Sequence, residues 1–323
     1  MGDAGPGGLL IVIVNYRSAA LTIDCLRSLE PQVGPAGARV VVVEGGSGDD
    51  SAEVLAAAIV GRGWSGWASV LPLEHNGGFA FANNRAIEAA SRSAEAPRYV
   101  WLLNPDTVVR PGALTALVEF LEGHPEVGIA GGRLEDADGT PQHSAFRFHS
   151  VLSELEHGLR LGLTTRLLAR WRAPLPLPEG PCAVDWVSGA SMIVRREVFE
   201  AVGLLDEGYF MYYEETDFCL RARRAGWPCW YVPGSRVVHL VGGCSGEADP
   251  SRARRRRPAY WFHSRRRYFL NHHGRLKTTL ADLAWASGYA LYRLRRPIQG
   301  VPDEDPEHLL GDFIRHNFLA ARR

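Results

Sequence analysis

No stretch of this 323-residue chain approaches the eighteen or so consecutive apolar residues that cross a bilayer. The early run Leu9–Val14 is too short for a signal-peptide core, and residues 1–8 are glycine-rich without a basic flank. These absences point to a cytosolic protein, or to one that lies peripherally on a membrane. Lysine is nearly missing: Lys277 stands alone among 36 basic residues, a bias that reads as genomic base composition. Net charge is missing too, because Lys+Arg and Asp+Glu both total 36, which removes any global case for a nucleic-acid partner. Cys25, Cys182, Cys219, Cys229 and Cys244 contain no CxxC pair, which argues against a zinc site and fits buried thiols in a reducing compartment. A basic glycine-rich loop is also absent after the first apolar run, where Asn15-Tyr16-Arg17-Ser18 stands instead. A nucleotidyltransferase would need such a loop to cradle phosphate.

A hydrophobic content of 46% is ample for a packed core. Leu9–Val14 reads as a strand covered on both faces, and a helix over 18–29 follows. The alternation repeats with strands at 39–43, 68–73, 99–103 and 127–130 and helices at 51–59, 79–91 and 112–122. This order predicts βαβ crossovers and an α/β fold with a mostly parallel sheet, whose ligands sit at the carboxyl ends of the strands. Asn15, Tyr16, Glu44, Asn76 and Asp106 all fall at such ends. Beyond Gly132 the pattern loosens through a proline-rich connector at 174–181. A strand over 183–194, a helix over 214–225, two short strands around Trp230 and Val237, a helical pattern from Leu276 to Leu294 and a helix near 306–320 are expected.

Three carboxylates, Glu214, Glu215 and Asp217, stand within four positions beside Tyr212 and Tyr213 at a predicted helix start. Acids shielded from water rise in pKa, which suits a group that takes a proton near neutral pH; the same acids would also complement a helix dipole. Asp106, in Leu103-Asn104-Pro105-Asp106-Thr107, is placed either as a helix cap or as a ligand. His239, ending the segment that begins at Val232, suits a satisfied buried imidazole or a metal contact. Gly77-Gly78 reads as an ordinary turn or a phosphate approach, and Trp186 as a core aromatic or a sugar platform. Between Arg252 and Arg296, twelve arginines and Lys277 stand against the single acid Asp282, interleaved with Tyr260, Trp261, Phe262, Tyr268 and Phe269. That composition reads as a basic face for a membrane surface or an anionic acceptor.

In order along the chain, Asn15-Tyr16, Glu44, His75-Asn76-Gly77-Gly78-Phe79-Ala80 with Asn83-Asn84, Asn104-Pro105-Asp106-Thr107, Trp186-Val187-Ser188-Gly189-Ala190, Glu214-Glu215-Thr216-Asp217 and His239 form one set. This set resembles family 2 glycosyltransferases, and more narrowly their bacterial rhamnosyltransferase-like branch. The resemblance covers roughly residues 9–245, and the aromatic, basic segment 260–274 is similar to that branch as well. It implies a GT-A fold, meaning a Rossmann-like, mostly parallel nucleotide-binding sheet with helices on both faces, here followed by a C-terminal helical extension. The GT-A domain would occupy 1–245, with a nucleotide-binding half near 9–132 and an acceptor-binding half near 133–245; the extension would occupy 246–323.

The resemblance further implies a dTDP- or UDP-sugar donor, a divalent cation (manganese or magnesium), and inverting transfer to a glycan or polyprenyl-diphosphate-linked acceptor. Asp106 and His239 would hold the cation, and Glu215 would be the general base with Glu214 and Asp217 orienting it. Asn15, Tyr16, Arg17, Glu44, Asn76, Gly78, Phe79, Asn84 and Asn104 would line the nucleotide, Glu44 through the imide N–H of uracil or thymine. Trp186, Ser188, Gly189 and Ala190 would meet the sugars. Three positions depart from the family pattern: Asn104 replaces the first Asp of Asp-x-Asp, Glu44 stands where Asp is usual, and Glu215 where many relatives carry Asp. A catalytically silent nucleotide-sugar-binding module is the alternative these departures raise, and a homo-oligomer is left open.

Overall fold

The computed structural model describes residues 8–93, 95–240 and 256–319. Residues 1–7, Cys244, Arg252, Arg254, Arg255 and the expected boundary after 245 lie outside the described residues.

Apolar, β-branched runs form β1 (Leu9–Asn15), β2 (Ala38–Glu44), β3 (Ala68–Pro72) and β4 (Tyr99–Leu103), which pair in parallel in the order β3-β2-β1-β4. Helices α1 (Ala19–Val33), α2 (Ser51–Gly61) and α3 (Gly78–Ser91) make the crossovers. The two-residue period of β1 explains its unbroken apolar run. Leu9, Ile11 and Ile13 pack with Leu26, Leu29 and Leu55 on one face, while Leu10 and Val12 pack with Ala82, Ile87 and Phe218 on the other.

The chain continues through β5 (Thr107–Val109), α4 (Ala113–Gly123), β6 (Ile129–Glu135), β7 (Ala145–Phe146), α5 (Val151–Leu159) and α6 (Gly162–Leu167). Next come β8 (Cys182–Val184), β9 (Trp186–Val187), β10 (Ser191–Arg195), α7 (Arg196–Val202), α8 (Glu214–Arg224) and β11 (Cys229–His239). The sheet extends from β4 in the order β10-β6-β11-β5, with β10 antiparallel to both its neighbours. It is therefore parallel through the first four strands and mixed beyond them.

Four local differences from the sequence-based expectation have physical causes. The strand expected over 183–194 is three strands, broken at a bend at Asp185, whose N–H donates to the Phe146 carbonyl at 3.0 Å, and at Ser188-Gly189-Ala190, a turn closed by Ser191 N–H on the Ser188 carbonyl at 3.2 Å. The two strands expected around Trp230 and Val237 are one, with a register shift between Val232 and Arg236 where Pro233 can donate no ladder bond. Helix α5 begins with a capping box in which Ser153 takes the place of the usual Glu or Gln, so its start carries no familiar signal. Helix α9 (Ala259–Arg295) begins well before Leu276 and breaks at Gly274 (φ 73°, ψ 171°), making a hairpin of two arms, followed by α10 (Leu309–Ile314).

Part of the basic face expected over 252–296 is paired within the fold, while Arg275 and Lys277 stay exposed. Arg265 is 1% exposed and donates to Glu154 at 2.7 Å and to Asp282 at 2.5 Å. Arg267 pairs with Asp206 at 2.8 Å, and the Nε of Arg256 meets Asp312 at 2.6 Å. Phe262, Tyr268 and Phe269 are buried. A local charge count misses these partners because Glu154, Asp206 and Asp312 are distant in sequence. Among the described residues no helix is long and apolar enough to cross a membrane.

Candidate active site

A cleft enclosing about 320 Å³ opens at the carboxyl ends of β1 to β4. Tyr16, Asn76, Gly78, Phe79, Asn104, Asp106, Ser188, Gly189, Ala190, Glu214, Glu215 and His239 all line it. These are twelve of the eighteen site residues expected from the sequence, gathered from six separate segments. Backbone hydrogen bonds explain the gathering: Asn104 N–H donates to the Ala190 carbonyl at 3.0 Å, and Leu240 N–H to the Asp106 carbonyl at 2.9 Å. Phe79 N–H donates to the Phe210 carbonyl at 2.8 Å. Gly78 has φ +90°, and a Cβ there would lie 2.1 Å from the Phe210 oxygen, so only glycine permits this approach.

The acidic corner is set by strained backbone. Tyr212 and Tyr213 both have φ 69°, a left-handed conformation costly for aromatic residues, and they direct the first turn of α8 into the cleft. Burial raises the pKa of Glu215 above the ordinary carboxylate range, against its own and the Thr216 backbone amides and His149. Burial also raises Glu214 well above that range, reinforced by the charges of Glu215 and Asp217. The Oε2 atom of each glutamate has no hydrogen-bond partner among the described residues. A Cβ added at Gly189 would lie 3.7 Å from the Cβ of Glu215, so the 188–190 turn borders the carboxylate directly.

At the opposite wall, His239 Nε2 lies 3.6 Å from Asp106 Oδ1 and 3.5 Å from Asn104 Nδ2. The other imidazole nitrogen, Nδ1, faces Gln142 Oε1 at 3.3 Å, while Gln142 Nε2 donates to the His239 carbonyl at 2.8 Å. An amide oxygen only accepts, so Nδ1 carries the proton and Nε2 keeps its lone pair toward Asp106. Burial holds His239 below the ordinary imidazole range despite the pull of Asp106.

The other six expected residues do not line the cleft. Asn15 accepts from Ser18 and Thr22 at 3.1 and 2.9 Å and braces the β1 end. Arg17 donates to the Ser47 carbonyl at 2.9 Å. Glu44 is buried and accepts from the amides of Gly46 and Ser47 at 3.2 and 3.0 Å, shaping the loop whose Gly45 does reach the cleft. Asn84 ties α3 to Leu205 and Glu207. Trp186 stacks on Phe146 with centroids 4.0 Å apart. Asp217 accepts from Arg221 at 2.8 Å and His272 at 2.6 Å, and these two partners outweigh burial and lower its pKa.

A family model described as glycosyltransferase like family 2 matches residues 6–269. The chain belongs to that family. This family 2 chain is 33% identical over 194 residues to N-acetylglucosaminyl-diphospho-decaprenol L-rhamnosyltransferase of Mycobacterium tuberculosis (strain ATCC 25618 / H37Rv), an alignment covering 56% of this chain and 61% of that protein. It is 29% identical over 167 residues to rhamnosyltransferase WbbL of Escherichia coli (strain K12), covering 51% and 61% respectively. Each match thus spans about three fifths of the relative. Two solved structures share the GT-A fold: GalNAc-T7 with UDP, GalNAc and Mn2+ (TM-score 0.57, 17% identity, 98% of this chain and 55% of that one) and the mannosyltransferase PcManGT from Pyrobaculum calidifontis with GDP-Man and Mn2+ (TM-score 0.52, 16% identity, 90% and 75%).

The donor set of this family 2 site fits a divalent cation completed by substrate. Among the described residues no group of three or more His, Cys, Asp or Glu side chains could hold a metal ion by itself. Asp106 and His239 would supply two donors, and the Gln142 contact holds the imidazole in the tautomer that a metal-bound histidine needs. Magnesium and manganese commonly take their remaining ligands from phosphate oxygens and water. Sequence reasoning missed Gln142, His149, Met211 and His272. Gln142 and His149 lie where the strand-helix pattern loosens, Met211 has no chemical signature, and His272 reaches Asp217 only through the hairpin.

Proposed function

We propose that this chain is an inverting, cation-assisted glycosyltransferase that moves a sugar from a nucleotide-diphosphate donor to an acceptor hydroxyl. In the reading nearest its relatives, the sugar is a deoxyhexose such as rhamnose on a dTDP or UDP carrier, and the acceptor is a glycan or a lipid-linked diphosphate approached peripherally at a membrane. The observation that carries the proposal is one cleft with the raised-pKa carboxylate of Glu215 at one wall and the Asp106–His239 pair at the other. Glu215, held above the ordinary carboxylate range, takes the proton of the acceptor hydroxyl as its oxygen attacks the anomeric carbon from the face opposite the diphosphate. Asp106 and His239 would hold a divalent cation, which would supply positive charge against the diphosphate leaving group. Tyr16 and Asn76 offer the nucleotide an aromatic face and an amide, and the Ser188–Ala190 turn positions the sugar beside Glu215. Residues up to about 245 form the transfer unit and the later hairpin supports the acceptor side.

The test is a panel of dTDP-, UDP- and GDP-sugars with and without manganese, scored by thermal shift and nucleoside diphosphate release. A bound donor raises apparent stability by mass action. Manganese-dependent release from one donor class is expected. Stabilisation without release for any donor and a range of acceptors would instead support the silent binding module.

A further inference from the structure

The second arm of α9 has two apolar faces. One carries Trp285, Tyr289 and Tyr292, buried in a small core with Leu309 and Phe313. The other carries Leu276, Leu280, Leu283, Leu291 and Leu294, with Ile298 just beyond, and all of these are exposed, Leu276 at 75% and Leu294 at 73%. At 3.6 residues per turn the five leucines fall within an arc of about 80° opposite the buried rings, along roughly 27 Å of helix. Arg275 and Lys277 flank the stripe about 100° to either side and are both exposed. The arm's single acid, Asp282, is buried against Arg265.

Two occupants suit such a stripe: a second copy of the chain or a lipid surface. Paired stripes from two copies would set cationic shoulders against cationic shoulders with no acid to relieve them. Anionic headgroups complement those shoulders, and the leucines match the headgroup boundary in the manner of an interfacial amphipathic helix. The segments outside the described residues hold Met1 and Val241 as their only large aliphatic side chains, too little to cover the stripe. The first arm of the hairpin carries Tyr260, which packs against Phe210 at 5.1 Å beside the cleft residues Met211 and Tyr212.

We propose that this face docks on an anionic bilayer, with the leucines inserted to the headgroup boundary and Arg275 and Lys277 on lipid phosphates. The docked hairpin then holds the cleft close to the membrane surface. The proposal goes beyond the transfer chemistry and is read without donor or acceptor. The full chain is floated with vesicles of equal parts phosphatidylglycerol and phosphatidylcholine, and with phosphatidylcholine alone. The wild type is expected to float with the mixed vesicles and to keep part of that binding at high salt. The combined change Leu280→Ser, Leu283→Ser and Leu291→Ser is expected to weaken it at least about tenfold. Arg275→Glu with Lys277→Glu should weaken it at low salt, and both variants should keep the wild-type fold by circular dichroism, because every altered side chain is exposed. The proposal is overturned if the serine variant floats like the wild type, or if high salt abolishes wild-type binding entirely. It is equally overturned if light scattering finds a dimer that the serine changes disperse.

Discussion

At the scale of single residues the site is a contrast between two buried glutamates and their neighbours. Glu215→Gln keeps the shape of the side chain and removes its basicity, so turnover should fall by roughly two to four orders of magnitude while donor binding by calorimetry stays near wild type. Near-normal turnover in that variant would exclude the assignment. A pH effect follows from the same burial. Glu214 and Glu215 bind protons more tightly in the folded chain than at the ordinary value of 4.5 expected when unfolded. The stability they contribute is therefore complete below that value and is lost as pH rises through the raised one. Glu214→Gln removes one buried charge. Its unfolding temperature should fall less steeply than wild type above about pH 4.5. The acid limb of its kcat/KM profile should stay in place, because Glu214, the more strongly raised of the two, is still protonated and neutral where Glu215 titrates. A limb that moves to lower pH would mean that Glu214 carries charge there.

At the scale of elements, backbone conformation decides where the chemistry points. The left-handed pair Tyr212 and Tyr213 turns α8 toward the cleft, and Gly274 reverses α9 so that His272 reaches Asp217. A Cβ at Gly274 would meet nothing within 4 Å, so Gly274→Ala tests conformation without a clash. It should destabilise the chain by about 1–3 kcal/mol in urea unfolding, the cost of a side chain in a glycine-only region. Gly78→Ala is the opposite case, because its Cβ would strike the Phe210 backbone oxygen. Donor affinity should drop with it, as calorimetry would read, since the loop carrying Asn76 and Phe79 must shift.

At the scale of the whole molecule, the hairpin is fastened to α5 by a buried charge cluster of Arg265, Asp282 and Glu154. Burial alone would raise the pKa of Glu154, yet the adjacent Arg265 charge brings it down to about 2. That stability is present above the ordinary value of 4.5 and is lost as pH falls toward about 2. Arg265→Leu leaves Glu154 and Asp282 buried without their main cation, so urea denaturation should show a loss of about 3–5 kcal/mol. Adding Glu154→Gln and Asp282→Asn to that variant should recover part of the loss, because the uncompensated charges are then gone.

Strand and helix order through 130 and a cleft at the carboxyl ends of the strands were legible in the sequence, because periodicity is a local property, and the ordered motif set with its family resemblance pointed to Asp106, Glu215 and His239, which do border that one cleft. Residue type alone did not separate cleft-lining side chains from braces. Glu44, Asn84 and Asp217 look as reactive as Glu215, but each spends its polar atoms on backbone amides, a loop or neighbouring cations. The sequence could not tell the buried Arg265 from the exposed Arg275 for the same reason: whether a charge is paired depends on acids more than a hundred residues away, as Glu154 is from Arg265. Composition along the chain set which elements form. Only tertiary packing, which brings distant groups within hydrogen-bond reach and removes water from between them, decided which charges are neutralised and which are left facing a ligand.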